Sequence, residues 1–149
     1  MLFMEQALAN AKKAFDSGEV PVGCVIVQNE KIIAQAFNQR NFKNNVLCHA
    51  EILAINDACH KLNSWRLEDC TIYITVEPCA MCAGAILQAR IPKVVFGTEN
   101  KKAGCAGSIV NLLDEKKFNH QCQIISGIMK NECAQLMEDF FRNLRNKKI

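Results

Sequence analysis

Two short segments, His49-Ala50-Glu51 and Pro78-Cys79-Ala80-Met81-Cys82, constrain this chain more than any other feature, because each opens a helical pattern directly after a loop or a strand. One imidazole and two thiolates make three protein ligands for zinc, which leaves a tetrahedral ion its fourth position; a closed structural site takes four. A helix N-terminus favours anions and lowers thiol pKa, so both ligand sets sit where thiolates are favoured. Cys79 and Cys82, three apart, share a helix face. His49 and Glu51 converge on one point only if their first turn is aimed at it end-on. Cys48 is the rival ligand: with it the site would close to four and become structural. Adjacent residues rarely point at one ion, so a small packing role for Cys48 is the preferred reading.

The other cysteines need no special chemistry. The chain has nine, an odd number, which in a reducing compartment points to buried thiols or metal ligands rather than a disulfide framework. Cys24, Cys59, Cys70, Cys105, Cys122 and Cys133 lie in or beside apolar segments, where a free cysteine behaves as a small hydrophobe. With 149 residues, half of them apolar and 22% charged, the chain can bury one good core, so a single domain over 1–149 is expected. The apolar start at Met1 to Met4 is broken by Glu5 and Gln6, and no apolar run suits a signal peptide or membrane span, so a cytoplasmic protein is expected. Lys and Arg exceed Asp and Glu only by 18 to 15, too little to announce a nucleic-acid partner. Arg142, Arg145, Lys147 and Lys148 close the chain with no acid between them, to meet phosphates or to complement a helix C-terminus.

Periodicity places the elements. Met4, Leu8, Ala11 and Phe15 recur at helical spacing up to Gly18. Val20–Val27 and Lys31–Phe37 are rich in β-branched residues and flank the polar Gln28, Asn29 and Glu30 as a hairpin, followed by a loop from Asn38 to about Asn45. His49–Leu62 reads as a largely buried helix and Thr71–Val76 as a strand. Pro78 suits the first turn of a helix that runs through Ala89. Val94–Phe96, closed by Gly97, is a further strand; a short helix is expected around Val110–Leu113 and a weak strand around Ile124 and Ile125. Cys133, Leu136, Met137, Phe140, Phe141 and Leu144 mark a terminal helix. This order predicts a central mixed sheet with helices on both faces.

The pattern His-x-Glu followed by Pro-Cys-x-x-Cys is that of the zinc nucleobase deaminases. Nearly the whole chain resembles one branch of them, the bacterial tRNA-specific adenosine deaminases of the cytidine deaminase-like superfamily. The likeness runs through Glu19-Val20-Pro21-Val22-Gly23, Asn38, Glu77 to Gly84, Arg90-Ile91, Val94-Val95-Phe96-Gly97, Gly107-Ser108, Asn119-His120 and Phe140-Phe141-Arg142. The resemblance implies a three-layer α/β/α fold with a five-stranded sheet, and one Zn2+ per subunit on His49, Cys79 and Cys82. Glu51 would be the proton shuttle for hydrolysis of adenosine to inosine at the wobble position of a tRNA anticodon. It implies further that Asn38 hydrogen-bonds the flipped base, although an asparagine there also suits a loop cap. Asn119 would lie near the anticodon nucleotides, and Phe141 and Arg142 at the RNA of the anticodon stem-loop, although the aromatic pair also fits an apolar helix stripe. Lys101 and Lys102 would face the RNA backbone or simply solvent. A homodimer with RNA contacts from both subunits is implied as well, and the lack of a long apolar run predicts no membrane partner.

Two departures bear on specificity. Val46-Leu47-Cys48 replaces the family's Pro-Thr-Ala before the histidine, and Asn100 stands where an aspartate is usual, which predicts an altered tolerance for the substrate backbone. Two other functions compete. A deaminase of free guanine, cytosine or a nucleotide shares the zinc motif, but has no evident need of the basic terminal helix. A non-catalytic zinc-stabilised RNA-binding module gains nothing from a carboxylate beside a three-ligand ion, whereas a hydrolase needs one.

Overall fold

The computed structural model describes residues 2–147; Met1 and Lys148, which carry two of the sequence readings, lie outside them with Ile149. Helix α1 (Leu2–Asp16) buries Met4, Ala7, Leu8, Ala11 and Ala14 on one side. Strands β1 (Gly23–Gln28) and β2 (Lys31–Phe37) pair antiparallel around Asn29 and Glu30. Both turn residues have positive φ, 51° and 62°, as a two-residue hairpin with the right-handed twist of its strands requires. Then follow α2 (Ala50–Leu62), β3 (Cys70–Val76), α3 (Ala80–Gln88), β4 (Lys93–Thr98), a 3₁₀ turn at Leu112–Asp114, β5 (Gln123–Ser126) and α4 (Lys130–Asn146).

The sheet order is β2-β1-β3-β4-β5, with β1 antiparallel to both neighbours and β3, β4 and β5 mutually parallel. It is the mixed five-stranded sheet expected. Strand side chains alternate between two cores. Cys24 and Ile26, Ile72 and Ile74, and Val94 and Phe96 pack with α2 and α3. Val25 and Val27, Tyr73, and Val95 turn to the other face, against α1 and α4. Each Ile or Val so buried contributes on the order of 1.5–3 kcal/mol. The two cores give the three-layer α/β/α arrangement.

Small residues set the layer spacing. Ala50, Ala54 and Ala58 line the sheet-facing side of α2, so that helix approaches closely. Gly23 lies hard against α1: a Cβ there would stand 1.9 Å from the Ala7 carbonyl oxygen.

Several boundaries differ from the sequence reading. β1 starts at Gly23, not Val20, because Pro21 has no N–H to offer a ladder and the Val22 amide turns back to the Val20 carbonyl instead of pairing across. Gly97 does not close β4 but lies within it. Its missing side chain makes room for Cys133 of α4, whose Sγ would be 2.5 Å from a Cβ at 97. The expected helix at 110–113 is a single 3₁₀ turn two residues later. The buried helices begin at Ala50 and Ala80, so His49, Pro78 and Cys79 precede them.

Candidate active site

That last shift decides the geometry. His49 and Cys79 are the N-cap residues of α2 and α3, in extended conformation, and neither spends its side chain on the cap. An N-cap residue normally bonds the free amides of its own helix; here both side chains are left to point out along the helix ends. Because α2 and α3 pack on the same face of the sheet, the two ends meet. The Nδ1 of His49 lies 3.6 Å from the Sγ of Cys79 and 3.5 Å from that of Cys82.

Those separations suit an ion. Bonds of about 2.3 Å to sulfur and about 2.05 Å to nitrogen at the tetrahedral angle place N and S about 3.6 Å apart. Among the described residues the ligand cluster is His49, Cys79 and Cys82, all three atoms within 4.8 Å of one another. Cys48 is buried but outside it, and all nine cysteines are free thiols. The Cys79 thiol is pulled down to about 4, first by the hydrogen bond from Cys82, against the effect of burial, with His49 adding to it. Cys82 is pushed up by donating to Cys79 and by burial. His49 is raised, chiefly by its hydrogen bond to Cys79. Without an ion, then, one proton is shared out so that Cys79 is the thiolate and Cys82 the thiol that donates to it.

Two buried carboxylates flank the cluster and differ in kind. Glu51, on the first turn of α2, is 4% exposed; burial pushes its pKa up to about 7, the nearby Cys79 charge adding to the effect and its own backbone N–H opposing it. A carboxyl group poised there can accept and return a proton near neutral pH. Glu77, at the end of β3, cannot play that part. Its Oε1 accepts from the Asn100 amide (3.1 Å) and the Ser108 hydroxyl (2.5 Å). Its Oε2 accepts from the Ala106 (2.9 Å) and Ser108 (3.0 Å) amides. All four lone-pair sites are used. Burial pushes the Glu77 pKa up, but these donors outweigh it and hold the group below the usual carboxylate range.

His49, Glu51 and Cys79 open onto a pocket of ≈ 140 Å³, walled further by Val20, Asn38, Arg40 and Asn100 and closed on one side by Met137 of α4. The Asn38 side chain donates to the Val20 carbonyl (3.2 Å) and accepts from the Arg40 amide (3.1 Å). It is therefore a loop cap, but its second N–H and second lone pair remain for a ligand. Beside the pocket, Phe141, Arg142 and Arg145 form a shallow groove that shares Met137 with it. Phe140 is buried and Phe141 exposed, which divides the aromatic pair between core and surface. Arg142 pairs with Asp139. Asn119 is exposed on the loop before β5 and lines neither pocket nor groove, and Lys101 and Lys102 are exposed. Arg40, Glu77 and Met137 had no place in the site on the sequence reading; Glu77 alone had a signal, its place directly before Pro78-Cys79. Glu19 is a further buried carboxylate, accepting from the Asn41 and Phe42 amides at 3.1 and 2.7 Å and so holding the loop that carries Asn38 and Arg40.

The sequence profile of the MafB19-like deaminases matches residues 2–145. This chain belongs to that family. It is 50% identical over 147 residues to the tRNA-specific adenosine deaminase of Bacillus subtilis (strain 168), covering 99% of this chain and 91% of that protein. The tRNA-specific adenosine deaminase of Rickettsia typhi is 46% identical over 145 residues, with 96% and 98% covered. At these identities the chain's kinship with the tRNA-specific adenosine deaminases is one of family. A solved structure from studies of A-to-I editing by tRNA:A34 deaminases at the wobble position superimposes with a TM-score of 0.87 at 38% identity, over 91% of this chain and 98% of that one. The cytidine deaminase-like fold implied by the motifs is thereby borne out. A guanine deaminase from Bacillus subtilis superimposes with a TM-score of 0.65 at 30% identity, over 97% and 92%.

Proposed function

We propose that this chain is a zinc-dependent deaminase that hydrolyses adenosine to inosine and ammonia at the wobble position of a tRNA anticodon, its residues 1–149 acting as one domain. The observation that carries the chemistry is the convergence of three ligand atoms beside a buried glutamate that is not one of them. The substrate is supported by the 50% identity to a tRNA-specific adenosine deaminase.

His49, Cys79 and Cys82 hold one Zn2+. Bound there, the ion supplies a water whose pKa is lowered from about 15.7 to roughly 7. Glu51 takes a proton from the attacking water as its oxygen adds to C6 of the base, and delivers that proton to N1. It then takes the remaining hydroxyl proton and gives it to the departing amino group, so that ammonia leaves and the carbonyl of inosine forms. Asn38 uses its free N–H and lone pair to orient the base. Phe141 stacks on a neighbouring nucleotide, Arg142 meets a phosphate, and Asn119 contacts the anticodon loop. The groove that continues from Met137 supports this path for the RNA. The enzyme works as a homodimer in the cytoplasm; no helix among the described residues is long and apolar enough to cross a membrane.

The test is to incubate the zinc-loaded protein with an anticodon stem-loop carrying adenosine at the wobble position, and separately with free guanine, cytosine and adenosine. Inosine from the stem-loop alone is expected. Ammonia from a free base alone would keep the zinc chemistry and overturn the substrate.

A further inference from the structure

Glu77, itself a lining residue of the pocket, joins the segment that carries Cys79 to the loop that carries Asn100. Its backbone N–H donates to the Thr98 carbonyl at 2.8 Å, and the next residue, Pro78, accepts from the Cys105 amide at 2.8 Å. Its carboxylate gathers three amides and one hydroxyl from residues 100, 106 and 108. Only an ionised carboxylate offers four acceptor sites to four donors; an amide in its place would set N–H groups against N–H groups. Gly104 is shaped to the same contact, since a Cβ there would stand 2.3 Å from the Glu77 carboxyl carbon. Two residues from the ligand Cys79, this hub therefore fixes where Asn100 lines the pocket and where Lys101 and Lys102 are displayed.

We propose that Glu77, with Ser108 as its outer partner, is a positioning residue for substrate binding: it holds the loop from Glu99 to Ser108 in the conformation that receives the nucleotides around the reacting base. The proton chemistry stays with Glu51, because Glu77 has no lone pair left to give. A preformed wall spares the ordering entropy that a mobile loop would lose when substrate binds. Loosening the clamp therefore weakens substrate binding and leaves the chemical step alone.

The substrate readout rests on the deaminase reading, so the test carries a second readout that does not. Replacing Glu77 itself would disturb β3 beside Cys79, and Ser108 is the safer handle. The zinc-loaded parent, Ser108→Ala and Ser108→Thr are compared for zinc content, steady-state inosine formation from the anticodon stem-loop, and amide hydrogen exchange. Ser108→Ala is expected to raise KM roughly three- to tenfold, less than the full worth of a hydrogen bond to a charged group because the Ser108 amide still holds Glu77, with kcat and zinc content held. Ser108→Thr, which keeps the hydroxyl, is expected to restore KM. An unchanged KM in Ser108→Ala, a fall in kcat alone, or a failure of Ser108→Thr to restore KM would overturn the proposal. If the parent makes no inosine, the deaminase reading falls by itself and exchange judges the clamp. Faster exchange of the Asn100, Ala106 and Ser108 amides in Ser108→Ala then supports it, and parent-like exchange overturns it.

Discussion

Gly104 lies against the carboxylate of Glu77 so closely that a Cβ at 104 would stand 2.3 Å from its Cδ and 2.5 Å from its Oε1. The Asn100 carbonyl is equally near, at 2.5 Å, so neither neighbour can move without breaking a hydrogen bond. Gly104→Ala is expected to destabilise the protein by about 1–3 kcal/mol, the usual cost of overpacking, read as a lower midpoint in urea. A midpoint equal to the parent's would show that the contact is not tight in solution.

Glu51→Gln keeps the shape of the first turn of α2 and removes the group that carries protons. Turnover on the stem-loop is expected to fall by about a hundredfold to ten-thousandfold, while zinc content and stem-loop affinity hold. Activity within a few-fold of the parent would remove Glu51 from the mechanism.

The two cysteines of the metal cluster should be distinguishable once the ion is stripped by a chelator. Cys79, held down to about 4, is a thiolate at pH 6 and should react fast with a disulfide reagent, whereas Cys82, pushed up and buried, should not. Zinc is expected to suppress the fast reaction and to raise the melting temperature, because it binds the folded state and stabilises it by mass action. Cys79→Ser should abolish the fast phase; its persistence in that variant would reassign the reactive thiol.

Buried thiols away from the site set the alkaline limit. Burial pushes Cys70 and Cys122 up to about 11, and burial, helped by Glu132, pushes Cys133 up to about 12. In the unfolded chain these thiols release their protons near 8.5. The unfolded state therefore holds fewer protons once pH passes about 8.5, and this stability is fully present well below that and is lost as pH rises toward 11, by up to about 1.4 kcal/mol per pH unit for each thiol. Urea midpoints between pH 8 and pH 11 measure this. Cys122→Ala should flatten the decline, and an equally steep one would exclude that thiol as a contributor.

Asn100 accepts from the Ala103 amide through its Oδ1 at 3.2 Å, a bond that an aspartate would keep. Asn100→Asp thus changes the charge at the pocket wall with little change in shape, and it adds that charge beside Glu77. Activity on RNA and DNA versions of the stem-loop is expected to shift in ratio; identical ratios in parent and variant would sink the idea.

What could be read along the chain and what could not divides by the range of the forces involved. The helix and strand periods, the turn at Asn29-Glu30, and the ligand types at His49, Cys79 and Cys82 are local properties, and they appear in the structure within a few residues of where the pattern put them. Glycine shows the limit. Gly97 reads locally as the end of a strand, yet its role is to admit Cys133 from a helix far along the chain. Likewise Val20 and Val22 carry a strand's composition but serve as pocket wall, because proline between them leaves the ladder one donor short.

By itself the sequence determined the layered α/β plan, the three side chains that could hold a metal and the carboxylate beside them, since residue chemistry and short-range spacing are written in its order. Only the tertiary structure decided that two helix ends meet with Nδ1 of His49 3.5–3.6 Å from both sulfurs. It also decided that Glu77 is saturated while Glu51 is free for chemistry, and that Phe140 is buried while Phe141 faces out. The physical reason is that a hydrogen-bond partner or a desolvating wall comes from whichever residues the sheet brings alongside, and positions 100 to 108 reach Glu77 only after β3 and β4 have paired.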